Sequence, residues 1–471
     1  MEDREKLLGN EKISNLLRKL SVPATLAMFV NALYNITDTV FVGQTGGYLA
    51  IGGLTICFPM QTILMAFSGM VGVGSASIIS RRLGAGKKEE AFEAAGNAFT
   101  LAFSIGLAFC IIGQVFMEPL LRFFGATDTL LPYSESYLRF ILIGFMYQPV
   151  TMASNNMIRS EGNARVAMVS MLIGAIMNII LDYIFVMVLG MSIKGAAIAT
   201  IISQFAAFIY VIHYFRSGKS LFKLKPHHLL VDWSIAKETV AVGASTFARQ
   251  GSSSVIAILM NHLLVIYGGD IAVSVYGTIN KVMTMMFMPA FGITQGMQPI
   301  AGFNYGAKKF DRVKQVVYLA IKCAVVYAVI FEILIEFFPQ QTFSLFSNDQ
   351  TLIDNGTFAI RLMISMTPFA LIQTLSASFF QTIGKAIPAL WLTLSRQVLF
   401  FIPLILILPS IGFGLTGIWM AFPVADVLSA IITAVFFTKE MRTLDKLIKE
   451  QENIKQQESL GKLELMPTAV D

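Results

Sequence analysis

The chain has 471 residues, of which 55% are hydrophobic, 11% aromatic and only 14% charged, with a mean hydropathy of +0.68. Soluble domains carry about 25% charged residues, so the composition excludes a water-soluble globular protein and points to a polytopic membrane protein in contact with a lipid bilayer. The net charge of +6 does not imply nucleic-acid binding, because the bases sit in alternate short loops, where positive charge sets topology.

The polar start, MEDREKLLGNEKISNLLRKL, lacks the pattern of a cleavable signal peptide and reads as a cytoplasmic amphipathic segment, 1–18. Windows of about 20 apolar residues then predict twelve transmembrane helices, at 19–43, 50–80, 91–117, 133–159, 165–189, 195–216, 237–267, 271–302, 314–338, 357–382, 387–409 and 415–438. The loops SRRLGAGKKEE, RSEGNAR, FRSGKSLFKLKPHH, NYGAKKFDRVK and GKA fall on one side together with both termini. The opposite loops carry only Arg122 and Lys194 as bases, so the basic side is assigned to the cytoplasm. The basic connection at 217–236 holds Pro226, His227 and His228. It separates an N-lobe, 19–222, from a C-lobe, 223–438, that includes the preceding linker. His213, His227 and His228 are expected to be solvated rather than metal ligands, and the charged tail, 439–471, is expected to be a frayed cytoplasmic helix. Cys57, Cys110 and Cys323 lie in apolar runs and give no disulfide or metal spacing. LGAGKK lacks the spacing and the preceding strand of a phosphate-binding loop and reads as a short turn.

The halves repeat. LGAGKKEEA at 83 recurs as YGAKKFDRV at 305, and Gly46, Ala50, Arg139, Gly162, Gly190 and Gly195 recur as Gly268, Ala272, Arg361, Gly384, Gly412 and Gly417, each 222 residues on. Six spans per half is an even number, so both halves share one orientation and should be related by a pseudo-two-fold axis along the membrane normal, a transporter arrangement. The fold class expected is therefore all-α, with twelve transmembrane helices in two pseudo-symmetric six-helix lobes.

The same repeat isolates polar residues that packing does not require. Asp38, Asn155, Asn178, Asp182 and Thr200 correspond to Met260, Ala377, Phe400, Leu404 and Phe422. An intramembrane charge costs at least roughly 2.5–3.5 kcal/mol, so something other than fold maintenance keeps the carboxylates. Asn31, Tyr34, Asn35 and Asp38 form one polar stripe on the first span, and Asn178 and Asp182 stand one helical turn apart on the fifth. Two close carboxylates cannot both stay ionised cheaply, so the pair could carry a proton. Alternatively Asp38, Asn178, Asp182 and Thr200 could hold Na⁺, a hard cation suited to such oxygens. In the C-lobe the intramembrane bases Arg249, Lys281 and Arg396 are expected to be ion-paired or to face the central cavity, since isolated ones are rare. Asp426 is the clearest mid-span acid there, and Glu332 and Glu336 lie toward an outer end. The methionines of KVMTMMFMP and Met152, Met157, Met168 and Met171 read either as an adaptable drug surface or as helix-contact filler.

ALYNITDTVFVGQTG, ISRRLGAGKKEEA, MNIILDYIF, GAAIATIIS and QGMQPIAGFNYGAKKFDRV resemble the multidrug and toxic compound extrusion (MATE) transporters, in particular their DinF-like and MepA-like prokaryotic branches, over all twelve spans. The resemblance implies two lobes forming a V around a central cavity and export of cationic or amphiphilic drugs against H⁺ or Na⁺ entry, with no cofactor and no enzymatic activity. It also implies a monomer in a prokaryotic plasma membrane. It assigns the N-lobe acidic site to Asp38 and Asp182, with Asn155, Asn178 and Thr200 beside them and Tyr34 nearby. Pro23 matches a first-helix proline associated with bending, which its missing hydrogen bond makes reasonable. A departure is the C-lobe, where another branch has a carboxylate-based cation site and this chain has Arg249. Two other readings are a major facilitator carrier, against which the order of SRRLGAGKKEE argues, and a lipid-linked oligosaccharide flippase, which Arg249, Lys281 and Arg396 keep open. No catalytic constellation supports an enzyme.

Overall fold

A computed structural model describes residues 2–344 and 350–464, with side chains for 6–34, 37, 38, 41, 42, 45, 49–344, 350–454, 456 and 457. The described residues are almost entirely helical and contain no strand. In chain order the helices are α1 (Glu2–Asn10), α2 (Ile13–Gly84), α3 (Lys88–Val115), α4 (Met117–Phe123), α5 (Leu131–Gly144), α6 (Gln148–Ser160), α7 (Ala164–Asp182) and α8 (Ser192–Arg216). After the linker come α9 (Trp233–Gly306), α10 (Phe310–Phe337), α11 (Pro339–Ser344), α12 (Gln350–Ile364), α13 (Thr367–Thr382), α14 (Ala386–Leu394), α15 (Ile402–Leu408) and α16 (Gly414–Glu464). Wide π-turns follow α7 at Tyr183–Val188 and flank α15 at Ser395–Phe401 and Pro409–Phe413.

The two longest helical runs each fold back on themselves. A straight helix as long as α2 would reach about 108 Å, at 1.5 Å per residue. Yet the carbonyl of Leu8, just before it, accepts bonds from Asn304 (3.0 Å) and Arg312 (3.3 Å), while Gly84 at its far end lies against the backbone of Phe303. Both ends thus meet the same turn, and α2 is two antiparallel crossings, with apolar stretches at Ile13–Tyr34 and Leu49–Gly84. Likewise α9 breaks at Gly269, whose φ of 63° and ψ of −165° are not helical. Eight stretches are individually long and apolar enough to cross a bilayer, and α12 with α13, bent by 46°, makes a ninth. The breaks within α9 and between α15 and α16, together with the less apolar pair α5 and α6, account for the remaining crossings of two six-span lobes.

The repeat is visible in the backbone. Helices α3 and α10 are both 28 residues long and start and end 222 residues apart; α7 and α14 start with the same offset, and α6 and α13 end with it. Left-handed backbone recurs at Gly86 and Lys308 (φ 76° and 57°), Gly162 and Gly384 (83° and 82°), Gly190 and Gly412 (63° and 109°), and Ser192 and Gly414 (48° and 51°). Lys308 and Ser192 adopt a conformation that normally favours glycine, so the turn geometry recurs even where the residue best suited to it is absent.

The lobes meet on the basic-loop side. The backbone of Gly74 approaches Thr239, Gly243 approaches Met70, and Gly306 approaches Arg81. Ser77 donates to the carbonyls of Gln381 (2.8 Å) and Thr382 (2.9 Å), and Glu238 pairs with Arg81 (2.9 Å) and Arg82 (3.4 Å). Pro23 lies inside the helical run of α2. The tail is not frayed over its described length: α16 continues to Glu464, with Lys385 paired to Glu440 (2.5 Å) and Lys314 to Asp445. Met157, Met286 and Met288 are buried packing residues, whereas Met285 is exposed.

The linker also departs from expectation. His228 is buried, not solvated; its Nδ1 accepts the Lys225 amide (3.1 Å) and its Nε2 meets Glu89 (3.0 Å). Asn97 accepts from the Asp232 amide (2.8 Å), and Thr100 donates to the Leu229 carbonyl (2.6 Å), which straps residues 228–232 along α3. At the linker's start the buried carboxylate of Glu161 accepts from the amide of Leu221 (2.7 Å), from Ser220 (3.1 Å) and from Tyr214. These contacts join residues that lie far apart in sequence, so no local pattern announces them.

Candidate ion site in the N-lobe

The polar residues singled out in the N-lobe lie on α2, α6, α7 and α8. Asp182 is the last residue of α7, immediately before its π-turn, a feature frequent at functional sites. It is fully buried, as is Asn178 one turn earlier. Asn178 donates from Nδ2 to Thr200 Oγ1 on α8 at 3.4 Å. Asp38, on α2, is close enough to Asp182 for their charges to interact. Asn155 is buried on α6, which packs against both α7 and α8; no direct contact of Asn155 with the acids is described. Tyr34 lies one turn before Asp38, and Asn31 is partly buried on the same helix. Asn35 lies in the helical run, but its side chain is outside the described residues.

Among the described residues, five buried acceptor oxygens in this region have no hydrogen-bond donor: Asp38 Oδ1, Asn155 Oδ1, Asn178 Oδ1 and both carboxylate oxygens of Asp182. A buried unsatisfied polar group costs about 1–3 kcal/mol, more when charged, and such groups in a native structure call for an explanation. Carboxylate and amide oxygens are donors suited to a hard cation, and the carboxylates are equally suited to a proton. The residues present therefore fit either ion.

Two further residues belong beside this group. Tyr137 on α5 is buried and lies near Gln61, Asp38 and Tyr34. The sequence reading passed over both, yet their repeat partners are Ala359 and Met283, so the comparison that flagged Asp38 also marks them.

Among the described residues the C-lobe shows no matching acidic site. Asp426, buried, pairs with Arg396 Nε at 2.6 Å, as expected for an intramembrane base. The side chain of Arg249 has no hydrogen bond or ion pair among the described residues; its guanidinium stands over the Phe291 ring, 5.4 Å from the centroid, and the residue lines a cavity. Lys281 is exposed and unpaired among the described residues. Outside the membrane spans, Glu89, His227 and His228 bring three potential ligand atoms within 4.8 Å. Because His228 Nδ1 accepts the Lys225 amide, its Nε2 carries the proton shared with Glu89 and offers no lone pair to a metal. This group is a structural staple.

A family model described as MatE matches residues 23–184 and again 246–407, so each half is recognised separately. The chain is 25% identical over 442 residues to the FAD transporter of Shewanella oneidensis, covering 92% of this chain and 95% of that one. It is 24% identical over 430 residues to the multidrug export protein MepA of Staphylococcus saprophyticus, covering 90% and 94%. The crystal structure of a MATE protein in the straight conformation superposes with a TM-score of 0.89 at 25% identity, covering 94% of this chain and 99% of that one.

Proposed function

The chain belongs to the MatE family, and from that premise we propose that it is a secondary active exporter of cationic or amphiphilic small molecules, driven by entry of H⁺ or Na⁺ at the N-lobe acidic site. The observation that carries this reading is the set of buried, donorless oxygens on Asp38, Asn155, Asn178 and Asp182, whose repeat partners are apolar. In the cycle inferred, ion binding neutralises part of the Asp38–Asp182 charge and lets the first crossing of α2 repack. Release restores the charged, hydrated pocket and the drug-accepting state. An ion shifts such an equilibrium only by its differential affinity for the two states, so the carboxylates are the source of coupling. Asn155, Asn178 and Thr200 complete the ion site with Tyr137 beside it, and Tyr34, Asn31, Asn35, Pro23, Arg249 and Lys281 are read as substrate or gating residues. The protein is read as a monomer in a prokaryotic plasma membrane with both termini cytoplasmic. The name of the MepA relative supports drug export, and the family assignment removes the major facilitator alternative.

The test is export of a fluorescent cation, rhodamine 6G, from proteoliposomes under an imposed proton gradient, an imposed sodium gradient, or neither. Efflux that follows one of the two gradients is expected. Rhodamine 6G movement at the same rate under all three conditions would overturn the reading.

A further inference from the structure

The C-lobe contains a second polar cavity, of about 60 Å³, room for a small polar head group rather than for a whole drug-sized molecule. Its wall includes Thr246, Arg249, Gln373, Ser378, Arg396 and Gln397, and none of its described lining residues is acidic. The repeat partners of Arg249 and Arg396 are Ala27 and Gly174, so the six-helix packing does not require a base at either place. Arg396 engages Asp426 through Nε; its two terminal nitrogens make no hydrogen bond among the described residues. Arg249 has no carboxylate partner among the described residues and rests on the face of Phe291, a contact that leaves its in-plane donors open. The neighbouring amides are largely committed: Gln373 donates to the Leu392 carbonyl (2.5 Å) and Gln381 to the Val242 carbonyl (3.0 Å) and Thr246 (3.0 Å). Two guanidinium groups and one carboxylate therefore leave the cavity with one uncompensated positive charge.

Gln381 also lines an adjoining cavity at the lobe junction, together with Arg159. The hydrogen bonds of Arg159 go to Asn156 Oδ1 (3.2 Å) and Met171 sulfur (4.0 Å), neither of them an acid. A second unneutralised base thus stands on the far side of Gln381, and both cavities favour negative charge.

We propose that the C-lobe cavity is an anion-accepting subsite, in which Arg249 holds a carboxylate or phosphate group of a bound amphiphile and the terminal nitrogens of Arg396 supply further donors. A planar guanidinium with free parallel N–H groups matches either oxyanion in a two-pronged, charge-assisted contact. The Phe291 ring accompanies the apolar part of such a molecule. The subsite is separate from the N-lobe carboxylates, so one protein would bear a cation site for coupling and an anion site for cargo.

The experiment is dye binding to the purified full chain in detergent, by fluorescence polarisation, with fluorescein as the anionic probe and rhodamine 6G as the cationic one. Binding in detergent needs no ion gradient, so its result stands whether or not coupling follows the N-lobe reading. Arg249→Gln is expected to weaken fluorescein binding by about tenfold or more, as loss of a charge-assisted contact does, while changing rhodamine 6G binding by less than about twofold. Arg249→Lys keeps the charge but not the fork, and is expected to fall between; it carries the test if the glutamine variant is not monodisperse. Displacement of fluorescein by benzoate or by phenyl phosphate identifies which oxyanion is preferred. Absence of fluorescein binding to the unaltered protein, fluorescein binding indifferent to Arg249, displacement by neither competitor, or equal weakening of both dyes would overturn the proposal.

Discussion

At Asp38 and Asp182 the chain keeps charges that its own second half does without. Substituting Asn at either position removes the charge and supplies an amide donor where unpaired acceptor oxygens gather. Asp38→Asn and Asp182→Asn are therefore expected to fold, to reach the membrane and to melt no lower than the unaltered protein, since a donor placed among orphan acceptors relieves an existing cost. Gradient-driven efflux is expected to fall by roughly tenfold or more in each, because the differential ion affinity that drives the cycle has gone. Met260→Leu is the control: Met260 is fully buried in the C-lobe core, and a volume-conserving swap there usually costs less than about 1.5 kcal/mol. Melting curves and proteoliposome efflux measured together decide the matter. A well-expressed double variant that still exports normally would end the case for these carboxylates.

Among the elements, the linker between the lobes is held far more firmly than its composition implies. Its start hangs on Glu161, whose repeat partner Ile383 shows that the matching turn in the C-lobe needs no acid. Glu161→Ala would leave the Leu221 amide and the Ser220 and Tyr214 hydroxyls without their shared acceptor. Such a loss costs about 1–3 kcal/mol per orphaned group, and 1.4 kcal/mol is a factor of ten in an opening equilibrium. Limited trypsin digestion of the purified protein is expected to cut after Lys219 and Lys223 about tenfold faster in this variant, since cleavage tracks the open population. Unchanged cleavage would mean that the strap along α3, through His228, Asn97 and Thr100, suffices alone.

For the whole molecule, the closure of the lobes on the basic-loop side rests on glycines that let two backbones touch. A Cβ on Gly84 would lie 1.9 Å from the Phe303 carbonyl oxygen, and one on Gly306 would lie 1.9 Å from that of Arg81. Neither neighbour is a flexible side-chain end, so the lobes themselves must separate to admit a methyl group. Gly84→Ala and Gly306→Ala are expected to shift the population toward a state open on the basic-loop side. The measurement is the distance distribution between spin labels placed on Lys88 of α3 and Lys314 of α10. A longer-distance component should appear or grow; distributions that match the unaltered protein would show that the closure does not depend on these contacts.

Much of this was legible in the chain itself. The duplication, the six crossings per half and the polar positions without polar partners all follow from comparing residues 222 apart, because membrane helices must be apolar and any exception stands out against its mate. That comparison also contained Tyr137 and Gln61, although their significance appeared only when α5 was seen beside Asp38. What the sequence could not supply was every relation between segments that are distant along the chain. The burial of His228 against α3, the single carboxylate beside two C-lobe arginines, and the glycine contacts that close the lobes on one side are properties of surfaces brought together by packing. Local hydropathy encodes which residues enter the membrane; only the tertiary structure decides which of them face one another, since that is set by the fit of helices against helices and not by the periodicity of any one of them.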